Sequence, residues 1–245
     1  MLRPDEKLVE LISFAWRFQG ERSPTERKTS SVLIPAGGHA IYGDLTAVPG
    51  AKGIVVFAHG SGSSRHSARN KYVAGVLNES KLATLLVDLL TVDEDALDNL
   101  THEYRFAIDL LSERLVSATD WVMQQPRLSS LYLGYFGAST GAAAALAAAA
   151  ERPGAVRAIV SRGGRPDLAA DALEKVLAPT LLIVGELDQT VLELNRLASK
   201  ALIAPVHIEI VPGATHLFEE PGALQRVASL ARDWFEEQLI REQAA

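Results

Sequence analysis

The sequence predicts an α/β domain with a mostly parallel central sheet of about eight strands and helices on both faces. Short β-branched apolar runs alternate with longer segments of helical periodicity, which is the pattern of parallel strands joined by crossover helices. The chain has 245 residues, of which 48% are hydrophobic and 22% are charged, and this composition is globular. Two antiparallel strands, at 31–35 and 40–48, are expected to start the sheet and to be joined around Gly37-Gly38.

The other strands and helices follow from the same alternation. The remaining strands are predicted at 53–58, 83–88, 131–136, 157–161, 180–185 and 206–211. Helices are predicted at 66–79, 103–124, 140–151, 168–176, 190–202 and 221–238. No long insertion separates the late strands, so we expect little or no cap and a rather open crevice at the sheet edge.

Residues 1–29 are predicted to form an N-terminal helical extension and loop ahead of a single domain at 30–245. Apolar side chains recur at helical spacing between Glu6 and Phe18, as expected for a helix with one buried face. We interpret this helix as packing on the body of the domain. The alternatives are a contact in a homodimer and a lid over the crevice.

The same N-terminal segment lacks the features of a targeting signal. Asp5, Glu6 and Glu10 interrupt its apolar residues, whereas a signal peptide has a basic start and an unbroken apolar centre. No run in the sequence approaches the roughly 18–20 apolar residues of a membrane span. We therefore expect a cytoplasmic protein without a membrane partner.

Charge and residue usage argue against several functional classes. The net charge of −6 argues against nucleic-acid and anionic-membrane partners. The chain has no cysteine, which excludes disulfides, cysteine zinc sites and thiol catalysis. The acidic run Thr91–Asp95 lacks the further ligands and glycine of a calcium loop, so we interpret it as a surface loop. With no His-x-x-x-His pair either, we expect no metal and no other cofactor.

Gly137-Ala138-Ser139-Thr140-Gly141 is the most informative stretch of the chain. It lies between a predicted strand and an alanine-rich predicted helix, which is the setting of the G-x-S-x-G turn that carries a nucleophilic serine. Side chains two positions either side of that serine would collide with neighbouring backbone, and glycine removes them. The pattern predicts Ser139 as a nucleophile held at the sheet edge.

A nucleophilic serine needs a base to take its proton and an acid to orient that base. Asp188 follows the predicted strand 180–185, and His216 follows the predicted strand 206–211. Loops at the carboxyl ends of parallel strands line the ligand crevice, and the order Ser, acid, His is the one expected after a G-x-S-x-G turn. We predict Asp188 as the acid and His216 as the base.

Other residues compete for these roles. Glu186 is two residues from Asp188 and could replace it, whereas Asp88 ends a different strand and is expected to brace its own loop. None of the five other histidines follows the late strand that precedes His216. His59 is expected to pin its loop by hydrogen bonds rather than to act as the base.

His59-Gly60-Ser61-Gly62 follows the predicted strand 53–58 and supplies the fourth part of the site. Acyl transfer places negative charge on the former carbonyl oxygen, and backbone N–H groups fixed in advance can stabilise it. We assign one donor to the amide of Ser61, with a neighbouring amide of the loop as the alternative. The other is the amide of Thr140, the residue after the nucleophile.

Together these motifs resemble an α/β-hydrolase of the dienelactone-hydrolase-like branch over roughly residues 30–235. The resemblance rests on His59-Gly60-Ser61-Gly62, Gly137–Gly141, Gly185-Glu186-Leu187-Asp188 and Gly213-Ala214-Thr215-His216. It implies an α/β-hydrolase fold and the same nucleophile, acid and base. Dienelactone hydrolases proper use a cysteine nucleophile, which this chain lacks, so the resemblance implies hydrolysis in general rather than that one substrate.

The resulting hypothesis is a serine hydrolase that cleaves carboxylic esters, lactones or thioesters of small acids. The alternatives are an acyltransferase or peptidase with the same residues, and a non-catalytic binding protein of the same fold. Candidate substrate-binding residues are His59, Gly60, Arg65 and Arg162, and an arginine could clamp a substrate carboxylate. For an arginine of the loop 161–167, which includes Arg162, we favour the simpler interpretation, in which it is solvated or paired with Asp167 or a glutamate.

Overall fold

A computed structural model describes residues 26–240 of the chain. The predicted helix at 6–18 lies outside these residues, so the proposed division at residue 30 stays a prediction. Eight strands form one sheet, in the spatial order β1-β2-β4-β3-β5-β6-β7-β8. They are β1 (Lys28–Ala36), β2 (His39–Ala47), β3 (Gly53–Ala58), β4 (Leu82–Val87), β5 (Tyr132–Ala138), β6 (Val156–Arg162), β7 (Thr180–Gly185) and β8 (Val206–Val211).

The sheet is mostly parallel, as predicted. Strand β2 runs antiparallel to both β1 and β4. The other neighbours in the sheet, in the spatial order β4-β3-β5-β6-β7-β8, all pair in parallel. Gly37 and Gly38 form the turn between β1 and β2 with φ values of 57° and 81°, a region that glycine enters at little cost. The predicted antiparallel start is therefore confirmed.

Six helices and one 3₁₀ segment surround the sheet in the described part of the chain. They are α1 (Ala68–Glu79), α2 (Val92–Thr101), α3 (Ile108–Gln124), α4 (Thr140–Glu151), the 3₁₀ segment Pro166–Lys175, α5 (Gln189–Ala198) and α6 (Ala223–Leu239). None of the helices between residues 26 and 240 combines the length and the apolar content that crossing a bilayer would require.

Helix α2 corrects one prediction. The run Thr91–Asp95, interpreted as a surface loop, begins this helix. The Thr91 hydroxyl accepts from the amide of Glu94, and the Glu94 carboxylate accepts from the amide of Thr91, which is a capping box. Acidic side chains in a first turn also interact favourably with the helix dipole. The predicted helix at 103–124 accordingly begins only at Ile108.

The predicted helix at 168–176 is a kinked 3₁₀ segment instead. Ala170 interrupts it with φ of 36° and ψ of −114°. This backbone lies outside the helical region, so the hydrogen-bonded turns on either side of it cannot merge into one α-helix.

Two apolar layers cover the faces of the sheet. Helices α3 and α4 cover one face, where the alanine-rich α4 is buried along most of its length. Helices α1 and α6 cover the other face, with Phe57, Phe136 and Phe235 among its fully buried side chains. Burial of each such ring stabilises the fold by about 1.5–3 kcal/mol.

The strand order places a crevice at one edge of the sheet. From β3 the chain crosses to β4 on one side, whereas β5 lies on the other side of β3. Ligands bind at such a reversal, outside the carboxyl ends of the strands. The candidate residues follow the carboxyl ends of β3, β5, β7 and β8 or end β6, so the topology gathers them at this edge.

Candidate active site

Ser139 lies at a strained turn between β5 and α4. Its φ is 50° and its ψ is −120°, a combination that residues with a side chain rarely adopt. A Cβ at Gly137 would lie 2.4 Å from the Cα of Ala142, and one at Gly141 would lie 2.3 Å from the carbonyl oxygen of His59. Both glycines are therefore required by contacts with backbone, which is the reason given for them from the sequence.

Neighbouring backbone holds the turn in place. The amide of Ser139 donates to the carbonyl of Arg162 at 3.2 Å, and the carbonyl of Ser139 accepts from the amide of Arg165 at 3.1 Å. On the other side, a Cβ at Gly60 would lie 3.0 Å from the Cβ of Ser139. The serine therefore sits between the end of β6 and the loop that follows β3.

Asp188 and His216 are in direct contact. The Nδ1 atom of His216 lies 2.6 Å from Oδ2 of Asp188. The two residues follow the paired strands β7 and β8, whose ends approach closely because Gly185 has no side chain. A Cβ there would lie 2.4 Å from the carbonyl oxygen of Ala214. The side chain of His216 is 39% exposed, so its ring is open to the crevice.

The imidazole of His216 also lies beside the strand end that holds Ser139. A Cβ at Gly163 would lie 3.5 Å from Cε1 of His216, and Gly163 directly follows the residue whose carbonyl binds the amide of Ser139. The structure thus gathers the predicted nucleophile, acid and base at one end of the sheet.

The alternative acids are engaged elsewhere. The Glu186 carboxylate accepts from the amide of Gly213 at 2.8 Å. The Asp88 carboxylate accepts from the amide and the guanidinium of Arg65. Asp88 therefore holds the loop after β3, rather than its own loop as the sequence suggested.

The two predicted oxyanion donors come from adjacent segments. The hydroxyl oxygens of Ser61 and Thr140 lie 3.1 Å apart. Thr140 is the first residue of α4, where an N–H has no partner inside the helix. Within residues 26–240 the amide of Ser61 has no hydrogen-bond acceptor either. Both N–H groups are thus free to serve a ligand.

His59 is buried, and both of its ring nitrogens have partners. The amide of Leu89 donates to Nε2 at 3.0 Å, so Nδ1 carries the proton and donates to the carbonyl of Gly60 at 2.9 Å. Burial lowers the pKa of His59, which keeps the ring neutral. These contacts match the loop-pinning role, and they leave no ring nitrogen for a substrate.

The arginines near the site differ in their partners. Arg65 is bound by Asp88 and Asp44. Arg165 forms a two-point pair with Asp167, at 2.8 and 2.7 Å. The expected pairing of an arginine of this loop with Asp167 is therefore confirmed for Arg165. It does not hold for Arg162, which is buried with 7% exposure and has no carboxylate partner within residues 26–240.

Asp98 and Arg105 line a small pocket together with Ser61 and Thr140, and the sequence analysis missed them. The buried Asp98 accepts from the amides of Tyr104 and Arg105 and pairs with the Arg105 guanidinium. The carbonyl of Arg105 in turn accepts from the Ser61 hydroxyl at 3.3 Å. The Thr91-x-x-Glu94 cap could have revealed helix α2, but nothing in the sequence distinguishes Asp98 from the other acids on that helix.

Two curated proteins of Mycobacterium tuberculosis are 55% identical to the chain over 237 residues, which is 94% of its length. Their name provisionally describes them as phosphoribosyl transferases. The chain spans 53% of their length, so about half of each relative has no counterpart in it.

Solved structures match the chain along nearly their whole length. A dienelactone hydrolase from Anabaena variabilis is 54% identical, with a TM-score of 0.86, over 87% of this chain and 99% of that one. Est1E from Butyrivibrio proteoclasticus has a TM-score of 0.70 at 17% identity, over 85% and 98%, and this likeness concerns the fold alone. The model of the dienelactone hydrolase family matches residues 91–239. The chain therefore belongs to the dienelactone hydrolase family.

Proposed function

We propose that the protein is a serine hydrolase that cleaves carboxylic esters, lactones or thioesters of small acids through an acyl-enzyme. The observation that carries the proposal is the 2.6 Å contact between His216 Nδ1 and Asp188 Oδ2, beside the strained turn at Ser139. An imidazole held in this way has its Nε2 free to accept a proton, and the turn exposes a hydroxyl at the same edge.

In the proposed reaction, the Ser139 oxygen attacks the carbonyl carbon while His216 Nε2 takes the hydroxyl proton. Asp188 holds the imidazole with its Nδ1 protonated and offsets the positive charge that forms on the ring. His216 then gives the proton to the leaving alcohol or thiol, and the acyl group remains on Ser139. Water, deprotonated by the same imidazole, releases the acid and restores the serine.

The negative charge of each tetrahedral intermediate would be held by the amides of Ser61 and Thr140. Loss of one such donor in other hydrolases costs about 10²–10³-fold in turnover. The link between their hydroxyl groups and the ring of His59 fix the two segments before substrate arrives. Such prior alignment is what makes N–H groups effective against a developing charge.

A fluorophosphonate probe, which modifies activated serines, tests the proposal directly. We expect the wild-type protein to be labelled at Ser139 and Ser139→Ala to be unlabelled. Ser63→Ala is a matched control, because it removes a serine in the neighbouring loop to which no role is assigned. An unlabelled wild-type protein with intact secondary structure would refute the assignment. Product analysis with a competing alcohol then separates hydrolysis from acyl transfer.

A further inference from the structure

Arg162 is a buried cation without an acidic partner. It ends β6 two residues after Val160, on the sheet face covered by α1 and α6. Successive residues of a strand alternate between faces, so the guanidinium extends the apolar column of Ala158 and Val160. Its side chain makes no hydrogen bond or ion pair within residues 26–240, and its Nε atom is fully buried.

The surroundings of Arg162 are positive. Burial and the positive charge of Arg69 lower the pKa of Arg162 to about 10, which leaves the guanidinium charged at neutral pH. Arg69 reaches outward to Glu219, at 2.8 Å, while its own Nε atom is buried without a partner. An unpaired buried charge is unfavourable for folding, so this arrangement calls for a compensating role.

Arg162 is also next to the proposed catalytic groups. Its carbonyl accepts from the amide of Ser139. The ring of Phe218 lies 5.9 Å from its Cζ atom, and Gly163, the following residue, lies against both Phe218 and His216. An anion bound by this guanidinium would therefore be held close to the serine and the imidazole.

Other arginines of the region already have carboxylate partners. Arg65 is bound by Asp88 and Asp44, and Arg165 is bound by Asp167. The ring of Phe218 at 5.9 Å is at the outer limit of cation–π contact and offers no hydrogen-bond acceptor in the plane of the guanidinium. Of these three side chains, Arg162 is the one whose donors remain available.

We propose that Arg162 binds an anionic group of the substrate, a carboxylate or a phosphate, and that Arg69 supports it with additional positive potential. This inference rests on the proposed ester hydrolysis and specifies its substrate class. The planar guanidinium presents paired donors that match two oxygens of either group. A substrate held in this way would be an ester whose acid portion ends in a negative charge.

Matched esters test the proposal. Monomethyl succinate and methyl butyrate have the same chain, which ends in a carboxylate in the first and in a methyl group in the second. Methyl 3-phosphonopropanoate carries a phosphonate at the same position and represents a substrate phosphate. We expect wild-type kcat/KM to be about 10–100-fold higher for an anionic ester than for methyl butyrate, since a charge-assisted contact contributes that much. Arg162→Met should abolish the preference, so that this variant has the same kcat/KM for the anionic esters as for methyl butyrate. The favoured anionic ester identifies the group.

Two variants control this test. Arg165→Met removes a nearby arginine that is already paired and should keep the preference. Arg162→Lys keeps the charge but loses the paired donors, so it should retain only part of the preference, and it replaces the methionine variant if that one does not fold. Equal kcat/KM values for the three esters in wild type, or an unchanged ratio in the Arg162 variants, would overturn the inference.

Binding without turnover separates this inference from the proposed function. At matched ionic strength, monomethyl succinate or inorganic phosphate should raise the melting temperature of wild type and of Ser139→Ala, but not of Arg162→Met. A shift in a protein that cleaves no ester would support the anion site and contradict ester hydrolysis. If the protein cleaves methyl butyrate but shows no rise in melting temperature with the anions and no preference for anionic esters, the proposed hydrolase function stands and the anion site is refuted.

Discussion

Asp188 and His216 are 28 positions apart in the chain, yet their side chains meet at 2.6 Å. Replacement of Asp188 by Asn should lower kcat by about ten-thousand-fold, because an amide can stabilise the wrong imidazole tautomer and offers no negative charge. The measurement is steady-state hydrolysis of methyl butyrate. Circular dichroism confirms that the fold is retained.

The matched control for that prediction is Glu186→Gln. Its carboxylate accepts from the amide of Gly213, and the oxygen of a glutamine can accept the same bond. We expect kcat to change by less than about threefold, since the free energy involved is within the range of a neutral hydrogen bond. A larger loss in Glu186→Gln than in Asp188→Asn would reassign the acid.

Two helical glycines should respond in opposite directions to alanine. A Cβ at Gly141 would lie 2.3 Å from the carbonyl oxygen of His59 and 2.4 Å from that of Ala58, so backbone must move. Gly141→Ala should lower the free energy of unfolding by about 3 kcal/mol or more. Gly75, inside α1, has no atom within 4 Å of such a Cβ, and Gly75→Ala should raise it by about 0.5–1 kcal/mol. Urea denaturation of both variants checks the pair.

The buried ring of His59 should make stability depend on pH. Its pKa is lowered from its ordinary value of 6.5 by burial, so the unfolded chain binds the proton more readily. The associated stability is fully present above 6.5 and is lost as the pH falls through the lowered folded value.

The test compares wild type with His59→Gln, whose amide oxygen can replace Nε2 as the acceptor for Leu89 but does not titrate. The unfolding free energy of wild type relative to the variant should fall by up to about 1.4 kcal/mol per pH unit below 6.5. A difference that stays constant from about pH 7.5 to about pH 5.5 would contradict the prediction.

Arg65 and Asp88 are expected to stabilise the loop that carries Ser61. Both side chains are less than one-fifth exposed, and Asp88 binds the amide and the guanidinium of Arg65. A double-mutant cycle with Arg65→Met and Asp88→Asn should give a coupling free energy of about 1–2 kcal/mol in unfolding. The preference for anionic esters should persist in Arg65→Met, and its loss there would place the substrate anion at Arg65 instead.

The candidate site could be predicted because its residues follow strands that are themselves easy to recognise. Ser139, Asp188 and His216 each lie within five residues of the end of a predicted strand, and a parallel sheet brings such positions to one edge. Gly185, which belongs to one of the segments that carry the resemblance, also shapes the site directly. Its lack of a side chain lets the loops after β7 and β8 approach each other.

The partner of a charged side chain could not be predicted in the same way. Residues 162–167 contain two arginines and one aspartate, and their spacing allows either arginine to form the pair. The backbone decides the outcome, because residue 162 is still in β6 and points to a covered face, whereas Arg165 lies in the loop beyond it. Helix α2 could not be predicted from periodicity either. It has few apolar side chains, so they show no strong helical period, and only the capping box at Thr91 and Glu94 identifies it.

The positive φ of Ser139 has a consequence for how the sequence can change. A backbone in this region costs of order 1–3 kcal/mol for a residue with a side chain, and glycine would relieve it. Directed evolution that selects only for heat resistance should therefore tend to replace Ser139 by glycine. The selected variants would have a higher melting temperature but would lack the proposed nucleophile.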